Sequence, residues 1–226
     1  MTRDTSQSAV PAYAMRRALH KRQRLAVHEK FEAERTALLV LDMQCHYLDS
    51  MPGMRDLVPS INRLASTLRM RGTRIIWILN TLERNGVDQW PEYHRDFFTA
   101  EQAARHRAGL ASGAPGHALL PELAMNPDDL LLEKTRFSPF VPGSSILTEE
   151  LVAQGIENVL ITGVAANVCC ESTARDAMMR GWRVTVVADA MAALSDSDHA
   201  AGLATLFSCF ADVRSTDDVI GQLVVA

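Results

Sequence analysis

Three side chains of complementary chemistry follow three apolar runs in this sequence. Asp42 follows ALLVL (37–41), Lys134 follows the leucines 130–132, and Cys169 lies in ITGVAANVCCESTARDAMMRGW (161–182). A carboxylate can take a thiol proton, a lysine between carboxylate and thiolate stabilises both charges, and a thiolate attacks carbonyl carbon. Cys169 falls in the first turn of a helical pattern starting near Asn167. Free N–H groups there favour thiolate and lower a cysteine from its usual pKa of about 8.5. Cys170 is its neighbour, yet successive helical residues are turned by about 100°. Cys170 shares a stripe with Ala174, Ala177 and Met178, whereas Cys169 shares the polar side with Thr173, Asp176 and Arg180. Helical phase therefore selects Cys169 as the nucleophile.

The elements that must position these groups alternate between strand and helix. Continuous apolar runs at 37–41, 74–79, 130–132, 159–162 and 184–188, with a short one at Val213, suit parallel strands covered on both faces. Helical patterns occupy a stripe of Leu57, Ile61, Leu64, Ala65 and Leu68, and then 145–154, 167–180 and 196–210. Alternation of this kind implies an α/β chain, a three-layer α/β/α domain with a six-stranded parallel sheet. In such a sheet the carboxyl ends of the strands share one edge, so Asp42, Lys134 and Cys169 can converge.

The remaining segments are less regular. Residues 1–35 read as an N-terminal extension, polar and frayed over 1–14, then a basic helix over Met15–Glu34; the domain proper spans 36–226. The connection 80–128 exceeds what such folds prefer, with a helix expected over 91–107; it forms either an active-site wall or surface decoration.

With 226 residues, 47% of them hydrophobic, the chain can bury one sizeable core, and its net charge of −4 carries no global signature for nucleic acid. No apolar run approaches the roughly 18 residues needed to cross a bilayer, and the N-terminus lacks the apolar core of a secretory signal. Four cysteines, two of them adjacent, make no disulfide framework at this length, so a reducing cytoplasm is expected. Adjacent cysteines form only strained disulfides, which argues against a redox sensor.

The segments LLVLDMQ (38–44), LLEKTRFSPF (131–140) and ITGVAANVCCESTARDAMMRG (161–181) resemble, in order and spacing, the signature segments of the isochorismatase-like cysteine hydrolases. The likeness runs from Thr36 to about Asp217 and implies the Rossmann-like fold of that family. Position by position it implies Asp42 as general base, Lys134 as the lysine and Cys169 as nucleophile. It implies a cis peptide at Val164–Ala165 and an oxyanion hole from the N–H groups of Ala165 and Cys169. Ala166 stands where the family often has threonine, which removes a hydroxyl near the turn.

Nicotinamidase-like members carry a metal site after the second strand, whereas that region here holds only His94, so neither metal nor other cofactor is expected. Members acting on isochorismate generally lack the cysteine, so its presence favours acyl transfer. The resemblance is strongest to metal-independent amidohydrolases of ureidoacrylate, biuret, N-carbamoylsarcosine or maleamate. Their thioester chemistry on a small amide or ureide is therefore the expected activity, with an isochorismatase-type hydrolase or a silent interaction domain as rivals. The resemblance also implies a homo-oligomer, dimer or tetramer; no nucleic-acid or membrane partner is expected. Gln44, Asn80 and Arg136 are candidate polar contacts to substrate, and Tyr47, Trp90, Phe137 and Phe140 candidate walls. Arg136 suits either a substrate carboxylate or a surface ion pair. Cys45 reads as filler and Cys209 as core.

Overall fold

The run ALLVL becomes a central strand because both of its faces are covered. In the computed structural model, which describes residues 10–224, Ala37, Leu39 and Leu41 enter one apolar core while Leu38 and Val40 enter another on the opposite face. Ile76 and Ile78 join the first core and Ile75 and Trp77 the second, by the same alternation. Each fully buried Leu or Ile contributes about 1.5–3 kcal/mol, so the sheet is held from both sides at once.

In chain order the elements are α1 (Ala12–Arg22), β1 (Phe31–Glu32), β2 (Thr36–Leu41), α2 (Val58–Met70), β3 (Arg74–Asn80), β4 (Glu83–Arg84) and β5 (Val87–Asp88). Then come α3 (Pro91–Phe97), α4 (Ala100–Gly109), β6 (Leu130–Lys134), α5 (Leu147–Ala153) and β7 (Asn158–Val164). The chain ends with α6 (Glu171–Met179), β8 (Arg183–Ala192), α7 (Asp196–Cys209), β9 (Asp212–Arg214), α8 (Thr216–Gln222) and β10 (Leu223–Val224). The main sheet has six strands in the order β6-β3-β2-β7-β8-β9, every pair parallel, as expected for a three-layer α/β/α domain. The chain winds outward from β2 through β3 to β6, then returns to β7 on the other side of β2. The boundary between β2 and β7 is thus the switch point, where the crossovers diverge and leave a crevice.

Four expectations need correction. The basic helix spans Ala12–Arg22 rather than Met15–Glu34, because Gln23 turns left-handed (φ 57°) and caps it. The following segment is tied to the domain: the buried Asp212 carboxylate accepts from the N–H groups of Val27 and His28 at 2.7–2.9 Å. Ala14 and Ala18 of α1 are buried in the first core, so the frayed stretch cannot extend to residue 14; residues 1–9 lie outside the described chain. The single helix expected over 91–107 is two, because Thr99 starts α4 with a capping box closed by Gln102. Cys209, expected in the core, is exposed at the end of α7.

Close approach at the switch point imposes one residue. Leu41 and Gly163 are register partners on β2 and β7. A Cβ on Gly163 would lie 2.0 Å from the Leu41 carbonyl oxygen, and φ there is +104°, a conformation that only glycine adopts freely. Gly163→Ala should therefore force β2 and β7 apart and cost at least about 3 kcal/mol, combining backbone strain with overpacking. Urea denaturation checks this; a loss below 1 kcal/mol, roughly the size of an ordinary surface change, would contradict it.

Candidate active site

Asp42 is the first residue beyond β2. Its N–H bonds to Ile78 O at 2.9 Å while φ turns positive (55°), and Gln44 N–H closes back on Asp42 O at 2.8 Å. Asp is among the few residues that tolerate this conformation, and the turn points its carboxyl off the strand end. Lys134 is the last residue of β6, in register with Asn80 at the end of β3. Cys169 comes from the turn after β7, where the Val164–Ala165 peptide is cis.

That turn is not a simple helix start. Residues Ala166–Cys170 form a wide π-type turn, and the N–H groups of Val168 and Cys170 both bond to Ala165 O at 3.1 Å. Thr173 Oγ1 donates to Cys169 O at 2.6 Å, and Gly202 of α7 packs so closely that a Cβ there would meet Asn167 Cα at 3.1 Å. These contacts hold the turn although Ala166, fully buried, brings no hydroxyl.

The three side chains meet. Lys134 Nζ lies 2.9 Å from Asp42 Oδ2, 3.5 Å from Cys169 Sγ, and donates to Arg136 O at 3.1 Å. All three are buried, Lys134 completely. Cys169 and Asp42 face a cavity of about 210 Å³, also lined by Tyr47, Asn80, Tyr93, His106 and Phe137. Cys170 is excluded from it and packs in the core, as its helical phase implies.

Burial sets the proton affinities. Desolvation raises the Asp42 carboxyl, against the lowering effect of Lys134 and the Cys169 thiol, so it is a stronger base than a free carboxylate. Burial alone would lower Lys134, but the charges of Asp42 and Cys169 outweigh it and the ammonium is held. The Cys169 thiol is pushed up, first by burial and then by the Asp42 charge, with Lys134 pulling the other way. This corrects the expectation of a depressed thiol. Burial is the largest cause, and the wide turn stands where a simple helix start was expected.

The other candidates separate. Asn80 and Phe137 line the cavity, and so does Tyr47, whose hydroxyl accepts from Asn80 Nδ2 at 2.9 Å. Gln44 is not part of the cavity lining: fully buried, its Nε2 donates to Asn80 O and His117 O while its Oε1 accepts Asn80 N–H at 2.8 Å. Trp90 and Arg136 line a neighbouring groove. Arg136 donates to Gln89 O and Thr135 O, and its guanidinium lies over the Trp90 ring. Phe140 is core, packed on Trp182.

The long connection supplies cavity wall through Tyr93 of α3 and His106 of α4. His94 is buried and links Asp88 to His106, with His46 ring to ring against His106. Positions 46, 94 and 106 share no motif; only the fold brings them together. Among the described residues, no group of three or more His, Cys, Asp or Glu side chains is placed to hold a metal ion.

Comparison with known proteins adds three likenesses and a family. Residues 36–218 match the isochorismatase domain. The chain is 35% identical over 179 residues to a ureidoacrylate amidohydrolase from Stutzerimonas stutzeri, covering 70% of each protein. A cysteine hydrolase from Pseudomonas syringae pv. phaseolicola superposes with a TM-score of 0.77 at 25% identity, over 88% of this chain and 97% of that one. N-carbamoylsarcosine amidase from Thermoplasma acidophilum gives 0.64 at 26% identity, over 81% and 97%.

The electrostatics give opposite outcomes for two substitutions. Asp42→Asn removes a charge that raises the thiol, so alkylation of Cys169 by iodoacetamide near pH 8 should quicken about tenfold or more. Lys134→Met removes the group that lowers it and should slow the reaction by a similar factor. In the unchanged protein the raised thiol means alkylation climbs with pH through the alkaline range, with no plateau below about pH 10. Peptide mass after timed labelling, with circular dichroism to verify folding, reads all three. The same direction for both variants would contradict the arrangement.

Proposed function

The chain belongs to the isochorismatase family, and on that premise we propose that it is a cysteine-dependent amidohydrolase of a small amide or ureide. The observation that carries this is the shared ammonium: Lys134 Nζ contacts both Asp42 and Cys169 at the wall of a cavity large enough for a small molecule. The amidohydrolases among its relatives, acting on ureidoacrylate and N-carbamoylsarcosine, support the same chemistry.

Cys169 is the nucleophile, Asp42 the proton carrier and Lys134 the charge balance. The thiol is raised, so thiolate is scarce before substrate arrives; the proton passes to Asp42 as sulfur attacks the carbonyl carbon. During that transfer the negative charge leaves Asp42 and passes through the sulfur to the carbonyl oxygen, and Asp42 and Cys169 both face the same Nζ. The ammonium therefore favours each state without itself losing a proton. The oxyanion is received by the N–H groups of Ala165 and Cys169, where losing one donor typically costs about 10²–10³ in rate. Asp42 then gives the proton to the leaving amine or ammonia. Water activated by the same carboxylate hydrolyses the thioester and restores the thiol. Four free cysteines suit a reducing cytoplasm as the site of this activity, and no described helix is long and apolar enough to cross a membrane.

Cys169→Ser should abolish ammonia release while leaving the fold intact. Cys170→Ala should keep most of the activity and lose about 1 kcal/mol of stability, as fits a small buried group. Ammonia release across linear ureides and monoamides, with isochorismate assayed separately, and acyl-enzyme mass after acid quench test the scheme. A folded Cys170→Ala without activity beside an active Cys169→Ser would overturn it, as would turnover of isochorismate alone.

A further inference from the structure

The cavity beside Cys169 has a chemical polarity that the triad does not explain. Its lining holds no cationic side chain: besides Asp42 and Cys169 it consists of Tyr47, Ser50, Met51, Asn80, Tyr93, His106, Phe137 and small apolar groups. Lys134 is not part of the lining, and its ammonium already serves Asp42, Cys169 and the Arg136 carbonyl. Arg136 and Arg105 line neighbouring grooves. A carboxylate entering this cavity would find no guanidinium or free ammonium to meet it.

What the cavity does offer is acceptors. Asn80 is 5% exposed, and its Oδ1 is buried with no hydrogen-bond partner, while Nδ2 is taken by Tyr47. A buried acceptor left unpaired costs free energy until a donor arrives. His106 supplies the second. The Asp88 carboxylate can only accept, so His94 Nδ1, 2.9 Å from both of its oxygens, carries a proton. In the tautomer with this proton, His94 Nε2 is a lone pair facing His106 Nδ1 at 3.3 Å, and His106 donates from Nδ1. His106 Nε2 is then a lone pair with no partner in the described chain. Burial, with His46 and His94 adjoining, lowers His106 to about 4, so the ring is neutral near pH 7. Arg107, 3.6 Å from Asp88, stands at the head of the chain of contacts.

We propose that this cavity selects an uncharged amide or ureide through its N–H groups, with Asn80 Oδ1 and His106 Nε2 as the receiving atoms, and turns away carboxylate-bearing substrates. The selection rests on the amidohydrolase function proposed above. A ureide end presents several N–H donors and suits two fixed acceptors. A carboxylate presents only lone pairs to the same atoms and is repelled, with the Asp42 charge adding to the penalty.

The test uses a matched pair, N-carbamoylglycinamide and N-carbamoylglycine, as protectors of Cys169 against iodoacetamide, which needs no turnover. The amide should protect at a concentration at least about tenfold lower than the acid. His106→Arg, which places a cation at the wall, should reverse or abolish that order. Nitrogen-15 NMR of the unchanged protein near pH 7.5 should show His106 protonated on Nδ1. Equal protection by both, protection by neither, an order unmoved in His106→Arg, or His106 protonated on Nε2 would each overturn the selection. The two proposals fail separately. If the amide protects but no ureide or amide releases ammonia, the amidohydrolase assignment falls and the selection stands. If the acid is turned over as well as the amide, the selection falls and the assignment stands.

Discussion

Everything at the carboxyl edge of this sheet depends on keeping one ammonium ion out of water. Removing a charge from water costs several kcal/mol even after the protein relaxes, and only close, well-placed partners repay it. Lys134 has Asp42 at 2.9 Å, the Arg136 carbonyl at 3.1 Å and Cys169 Sγ at 3.5 Å, so three partners hold it at once. Those partners come from β2, the β6 loop and the β7 turn, and the strand ends must keep register for all three to reach. Gln44 does much of that work. It clamps the backbone of Asn80, which is in register with Lys134, and it follows Asp42 by two residues. Its side chain braces the end of β2 against the end of β3 and against His117 of the long connection.

The thiol shows two electrostatic effects in competition. Helix-start N–H groups carry partial charge and act over a turn, whereas desolvation acts on the whole anion. In a site this dry desolvation wins, and the neighbouring carboxylate adds to it. The consequence reaches the chemistry: a cysteine raised in this way is a poor target for stray electrophiles at neutral pH. On the proposed scheme it becomes a nucleophile when substrate brings a carbonyl within reach and Asp42 takes the proton.

The sheet and its order of helices were legible in the sequence because they rest on local periodicity that the fold preserves. ALLVL and RIIWIL are apolar on both faces, and the structure covers both faces. The meeting of Asp42, Lys134 and Cys169 was legible because parallel strands bring their ends to one edge. The break between α3 and α4 had a signal in Thr99-Ala-Glu-Gln102, a capping box inside what reads as one helix. The end of α1 had no such signal, since the tether at Val27 and His28 is Asp212, almost the whole chain away. Nor did the placement of His106, rather than Gln44, in the cavity lining, which depends on where α4 lands.

That last point separates the floor of the cavity from its wall. The floor is made by strand ends whose spacing the sheet dictates, and substitution there meets the close approach of Leu41 and Gly163. The wall is made by α3 and α4, which belong to a long connection outside the sheet. They are held by ring contacts among Trp90, Tyr93, Phe98, His106 and Phe137 rather than by backbone ladders. Ring contacts tolerate exchange of one apolar group for another far better than a register does. On the proposed scheme, the side chain at position 106 can therefore be changed without moving the sulfur of Cys169. On this architecture the bond that breaks is decided by the sheet, and the molecule that carries the bond is decided by the connection between β5 and β6.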